Sequence, residues 1–93
     1  MNQQTKSVLL RTLSLIEDYQ NSKTGLSQLV GALEGSLNAL EEQLPEAFYK
    51  EWYDHWGNLD VAVALGVEAK NQEEILEEIR LLEEIIKGQL QTE

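Results

Sequence analysis

The one histidine of the chain, His55, lies within a helical turn of two carboxylates, a combination that could bind a metal ion. Glu51 precedes His55 by four residues, so the two would share one side of a helix, and Asp54 is the neighbour of His55. Zinc sites take three or four protein ligands, and di-iron bundles need Glu-x-x-His on each of two helices. The sequence has one His, no Cys and no Glu-x-x-His. We therefore predict no metal and no cofactor, and interpret His55 as a flanking residue paired with Glu51.

The sequence contains no clear motif for other kinds of catalytic site. Nucleophilic catalysis needs a nucleophile oriented by a base, and the serines of this chain occur in no recognisable local motif. No glycine-rich phosphate-binding loop is present. Pairs of adjacent glutamates recur, as they do on the solvated face of an amphipathic helix. The sequence thus predicts a protein that is not an enzyme.

Four helices must position these side chains. Apolar residues recur at intervals of three and four along the whole chain, which is the helical period, and no alternation of period two is sustained. We predict helices over residues 6–21, 26–43, 45–67 and 71–90, the last with Glu74 at a capping-box position after Asn71. Helices joined by short connections favour an all-α, compact antiparallel four-helix bundle, with residues 1–93 as a single domain.

The third helix carries most of the aromatic residues. Its expected buried side contains Phe48, Tyr49, Trp52, Trp56, Leu59, Val63 and Val67. Gly57 and Asn58 could divide this helix, with Asn58 capping the second piece, but the strong period favours one continuous helix.

Two further features allow either packing within the chain or contact between copies. On the fourth helix the main apolar face is predicted to comprise Ile75, Leu76, Ile79, Leu82, Ile86 and Leu90. Leu81 and Ile85 lie off that face and form a second seam. Gly31 and Gly35 predict the close approach of another helix, because glycine inside a helix costs about 1 kcal/mol relative to alanine.

The charge of the chain restricts its partners. Seventeen acidic residues against seven basic ones give a net charge of −10, which disfavours binding to nucleic acid and to anionic membranes. A cationic protein would be attracted, although acidity also simply maintains solubility. The N-terminal apolar run is interrupted by Arg11, unlike a signal peptide or a membrane span, and the absence of cysteine suits a reducing compartment. We expect a soluble, cytoplasmic protein.

Part of the sequence resembles a known group of proteins. A tyrosine at the end of the first helix precedes G-L-S-Q-L-V-G-A-L-E, and W-x-x-x-W-x-x-L-D follows an acidic linker. This pattern resembles small helical bacterial proteins, several of which are immunity proteins of toxin–immunity systems. The matching residues are Tyr19, Gly25, Leu26, Leu29, Val30, Leu33, Trp52, Trp56, Leu59, Asp60 and Ala64. The resemblance implies a small acidic cytosolic protein that binds and neutralises a cognate toxin. Acidic helix faces would suit a basic toxin domain as the partner.

We therefore predict a non-enzymatic protein-binding module, with an immunity protein as the specific expectation. The predicted partner-binding residues surround the aromatic helix: Glu42, Glu46, Tyr49, Glu51, Tyr53, Asp54, His55 and Asp60. The alternative is a structural or assembly protein that forms homodimers or larger homo-oligomers through its C-terminal helix.

Overall fold

The chain folds into four helices that pack side by side. The computed structural model describes residues 3–40, 43–66 and 72–91, with residue 72 described by its backbone alone. The helices are α1 (Gln3–Gln20), α2 (Leu26–Ala39), α3 (Glu46–Leu65) and α4 (Gln72–Gln91). Within these ranges each helix contacts its two neighbours around the bundle, α4 closing on α1, and no diagonal pair is in contact. The predicted all-α antiparallel four-helix bundle is confirmed, with dimensions of 39 × 24 × 19 Å.

The helix boundaries follow local backbone chemistry. At the start of α2 the Gly25 amide donates a hydrogen bond to the Gln28 side-chain oxygen at 3.0 Å. Pro45 immediately precedes α3, a position that costs no hydrogen bond because the first amides of a helix have no partner within it. Gly66 ends α3 with a left-handed backbone (φ 64°), which glycine adopts without strain. The prediction that α3 extends to Val67 is therefore wrong.

Two other predicted boundaries have different outcomes. The second helix was expected to reach residue 43, but it ends at Ala39, and Leu40 adopts a turn conformation. The capping box predicted from Asn71 lies outside the described residues. None of the described helices combines the length and the apolar character that crossing a bilayer requires.

The core contains the side chains that the helical period predicts, contributed by all four helices. Its fully buried members include Leu9, Ile16, Leu26, Leu33, Trp52, Leu59, Ile79, Leu82 and Ile86. The prediction that Leu76 is buried in the core is wrong, because 40% of its surface is exposed. Val67, predicted for the buried side of α3, lies outside the described residues.

Polar contacts between α1 and α2 were not predicted from the sequence. Thr12 is fully buried, and its hydroxyl donates to the Val8 carbonyl at 2.8 Å. The same hydroxyl lies 3.0 Å from the hydroxyl oxygen of Ser36 on α2. Thr12 therefore joins two helices at a position where a periodic pattern predicts only apolar side chains.

The glycines of α2 do not mark a contact within the bundle. Gly31 and Gly35 are both exposed. A Cβ atom built on either would meet no atom of the described residues within 4 Å beyond its own helical surroundings. The prediction of a close helix approach within the chain is wrong. On α4, Ile85 is partly buried against the core, so part of the second seam is used inside the monomer.

Candidate functional site

The segment that carries the histidine and both tryptophans lies at the centre of α3, and Trp52 anchors it. Trp52 is fully buried, and its ring meets Phe48 edge-on with centroids 5.5 Å apart. The indole N–H of Trp52 has no hydrogen-bond partner among the residues that the structure describes. Successive residues of a helix point about 100° apart. The residues beside the buried face of α3, which contains Phe48 and Trp52, therefore point towards α2 on one flank and towards α4 on the other.

Paired polar groups occupy the α4 flank. His55 Nδ1 lies 2.6 Å from Glu78 Oε2, and the Asn58 amide donates to Glu78 Oε1 at 3.1 Å. The His55 and Glu78 side chains are 20% and 26% exposed, so their contact is shielded from bulk water. We refer to His55, Asn58 and Glu78 as the α3–α4 clasp.

The α3–α4 clasp changes two interpretations made from the sequence. The expected pairing of His55 with Glu51 on the same helix is wrong, since the imidazole meets a carboxylate on another helix. Asn58 does not cap a second helix but reaches α4 from the middle of α3. The preferred prediction of a continuous third helix is confirmed.

Aromatic groups lie on the α2 flank. The Trp56 indole donates to the Val30 carbonyl oxygen of α2 at 3.0 Å, which fixes the register of α3 against α2. The ring of Tyr53 packs against that of Trp56 with centroids 5.5 Å apart, yet 52% of the surface of Tyr53 is exposed. Tyr49 is partly buried against the core. Tyr49, Lys50, Tyr53 and Asp54 line a shallow depression of about 260 Å³.

The carboxylates near Tyr53 are mostly without cationic partners. Asp54 and Asp60 are exposed and form no ion pair with any described residue. Glu46 has Lys50 as a partner at 3.3 Å, but both side chains are largely exposed, and such pairs contribute little. Glu34 is not among the contact residues predicted from the sequence. It is exposed and lies one helical turn after Val30 on α2. The Val30–Trp56 contact brings Glu34 level with Tyr53, because α2 and α3 run antiparallel.

The predicted contact residues therefore do not form one continuous rim. Glu46, Tyr49, Tyr53 and Asp60 follow each other along the α2 side of α3, with Asp54 on the outer surface beside them. Glu51 and His55 lie on the opposite flank, and Glu42 is outside the described residues. The α2–α3 face is defined here by the grouped residues and the neighbouring carboxylate of α2: Glu34, Glu46, Tyr49, Tyr53, Asp54 and Asp60.

The charges of α4 are arranged differently. Arg80 bonds to both Glu77 and Glu84, and Lys87 lies 3.6 Å from Glu83. The hydrogen bond from Arg80 lowers the pKa of Glu77 below its usual 4.5. Two cations thus compensate part of the negative charge of α4, whose sequence holds six glutamates.

A groove lies between the end of α3 and the start of α4. It has a volume of about 340 Å³ and is lined by Asn58, Leu59, Val61, Ala62, Leu65, Glu74, Ile75 and Glu78. Val61 and Leu65, one helical turn apart, are 55% and 68% exposed, so the groove presents apolar side chains to solvent. Among the described residues that line this groove there is no lysine or arginine.

Titratable side chains do not converge on a metal site in the described parts of the chain. No three His, Asp or Glu residues there are close enough together to hold an ion. Comparison of the chain with protein-family models, curated proteins and solved structures found no match.

Proposed function

We propose that the chain is a non-enzymatic protein-binding module whose α2–α3 face binds a basic protein surface. The observation that carries this proposal is the position of Tyr53. Its ring is held by Trp56 yet half exposed, with exposed carboxylates around it that have no cationic partner within the described residues.

Tyr53 has the properties of an interface anchor. Tyrosine is enriched among the residues that dominate binding energy, since a rigid ring buries a large area at a small entropic cost and its hydroxyl can bond at the edge. The contact with Trp56, which is itself bonded to Val30, restricts the ring before binding. This preorganisation lowers the entropy lost when a partner covers it.

The surrounding carboxylates supply attraction and orientation. Glu34, Asp54 and Asp60 are exposed around the tyrosine, so a positively charged partner would be steered towards this side of the bundle. Charged groups at the rim mainly increase the association rate and make it salt-dependent, while buried anchors slow dissociation. We therefore assign fast association to the carboxylates and slow dissociation to Tyr49 and Tyr53.

We further propose that the partner is the basic domain of a bacterial toxin and that the chain acts as its immunity protein. The resemblance of residues 19–64 to immunity proteins supports this specific form, as does the net charge of −10. The acidic face would cover a cationic surface that the toxin uses for nucleic-acid binding or catalysis. No reaction by this chain is required.

If the gene immediately upstream encodes a toxin, binding of the chain to that toxin's basic domain tests the proposal. Affinity measured by calorimetry should fall as the salt concentration rises, because contacts between exposed charges are screened. Asp54→Asn with Asp60→Asn should weaken binding by roughly tenfold, mainly through the association rate. Glu73→Gln with Glu74→Gln, which removes two exposed charges from α4, is the matched control and should have a smaller effect.

Two results would contradict the proposal at different levels. Salt-insensitive binding, or equal losses in the two double variants, would exclude the α2–α3 face as the acidic interface. A gene neighbourhood without a toxin would remove the immunity assignment but leave the general binding function open to test with another basic protein.

A further inference from the structure

Besides the α2–α3 face, the bundle has two exposed apolar sites with opposite charge. The groove between α3 and α4 presents Val61 and Leu65, with Glu74 and Glu78 on its border. Glu74 is exposed and has no ion pair among the described residues. The groove is therefore an apolar surface bordered by negative charge.

The first turns of α1 have the complementary character. Leu10 is 50% exposed, and Lys6 lies one helical turn before it on the same outer side. Arg11 is exposed next to Leu10, and neither cation forms an ion pair with a described residue. No acidic residue occurs in α1 before Glu17. We refer to Lys6, Leu10 and Arg11 as the α1 patch.

The two sites lie in opposite halves of the bundle. A depression lined by Gln4, Thr5, Ala39 and Leu40, among others, shows that the start of α1 lies beside the end of α2. The groove is lined by residues from the last two turns of α3 and the first two turns of α4, which lie towards the other end of the antiparallel bundle. The α1 patch and the groove of one chain therefore cannot meet each other.

We propose that the groove binds the α1 patch of a second copy of this chain, in a head-to-tail contact. Leu10 would lie on Val61 and Leu65, and the cations of the patch would approach the exposed carboxylate of Glu74. The contact joins two different surfaces. In a pair of chains, one copy therefore keeps a free groove and the other keeps a free patch. Such heterologous contacts build rings or open chains of copies rather than a closed two-fold dimer.

The net charge of the chain does not prevent this contact at physiological ionic strength. Copies with a charge of −10 repel each other, but salt screens that repulsion beyond about 8 Å. Oppositely charged groups in contact are screened less when they are partly covered. A small contact of this kind is expected to be weak and concentration-dependent.

Sedimentation velocity at about 0.15 M salt, with chain concentrations up to roughly 1 mM, tests the proposal. The average mass of the unmodified chain should rise with concentration and exceed that of two chains. Leu10→Glu and Leu65→Glu should each lower the association constant by about tenfold or more, since each introduces a carboxylate into the apolar contact. Leu76→Glu is the matched control, because it places the same charge on an exposed leucine outside both sites.

Mixing the two disruptive variants gives the decisive result. The Leu10→Glu chain keeps an intact groove and the Leu65→Glu chain keeps an intact patch, so an equimolar mixture should form a pair of chains and nothing larger. A monomeric unmodified chain at every concentration would overturn the proposal. A mixture without pairs, or loss of association in Leu76→Glu, would also overturn it. Circular dichroism of each variant verifies that the helices remain folded.

The test of self-association is independent of the test of toxin binding. The variants lie outside the α2–α3 face, so toxin affinity should stay unchanged in all of them when each is measured as a monomer at low concentration.

Discussion

The two flanks of α3 use polar side chains in opposite ways. Towards α4, His55 and Asn58 share the two oxygens of one carboxylate, that of Glu78. Towards α2, Trp56 makes the hydrogen bond between helices, while Asp54 and Asp60 remain exposed without a cationic partner among the described residues. One flank has its polar groups paired inside the chain, and the other presents them to solvent.

Under the proposed function, this difference assigns stability to one flank of α3 and recognition to the other. A polar group that already has an internal partner has little left to offer another protein, and its removal weakens the bundle. An exposed carboxylate with no partner contributes little to stability and can therefore be used for binding at small cost. The histidine, which looks most like a functional residue in the sequence, belongs to the stabilising flank.

The largest expected effect distinguishes adjacent residues of α3. Trp52→Ala should lower the free energy of unfolding by about 3–5 kcal/mol, because it empties the centre of the core. Tyr53→Ala should lower it by only about 1 kcal/mol, because half of that side chain is in solvent and its contact with Trp56 is what is lost. Urea denaturation followed by circular dichroism measures both. Similar losses in the two variants would contradict the assignment of Tyr53 to a binding surface.

A smaller effect is expected at the α3–α4 clasp. Glu78→Ala should cost about 1–2 kcal/mol, since His55 and Asn58 both lose their hydrogen-bond partner. Glu74→Ala, one turn earlier and exposed, should cost less than about 0.5 kcal/mol. Thermal unfolding compares the two variants. If Glu78→Ala is as stable as Glu74→Ala, the clasp does not hold the helices together.

The smallest predicted changes concern two glycines, and they have opposite signs. Gly31→Ala should raise the free energy of unfolding by about 0.5–1 kcal/mol, because alanine favours helix and its Cβ meets no atom within 4 Å. Gly66→Ala should lower it by about 1 kcal/mol, because the left-handed backbone there strains any residue with a Cβ. Denaturant midpoints measure both. Destabilisation by Gly31→Ala would indicate a close contact at that surface.

The sequence predicts the architecture well, because burial in a helical bundle follows a short period. The apolar spacing of α3 was enough to predict one helix through Gly57 and burial of Trp52 and Leu59. Leu76 fits the same period but is exposed, because the period alone does not say how wide a stripe the neighbouring helices cover. Gly66 shows a similar limit, since the left-handed backbone that ends the helix was not inferred from the glycine itself.

The candidate site was less predictable, because it depends on the register between helices. Nothing in the sequence places Glu78 opposite His55, so the imidazole was assigned to Glu51 within its own helix. Glu34 was left out for the same reason, since only the Trp56–Val30 hydrogen bond brings it level with Tyr53. Side-chain types and spacing indicated Tyr53 and Asp54, and tertiary packing determines how the remaining residues are grouped.

The affinity of Tyr53→Ala for the candidate toxin domain tests the central claim most directly. Calorimetric titration should show a loss of about tenfold to a hundredfold, as expected for truncation of an anchor residue, while the thermal unfolding midpoint falls only slightly. His55→Ala, on the opposite flank, should lower the midpoint and leave the affinity of the folded protein nearly unchanged. Full affinity in Tyr53→Ala together with a large loss in His55→Ala would contradict the account, because recognition would then lie on the α4 flank.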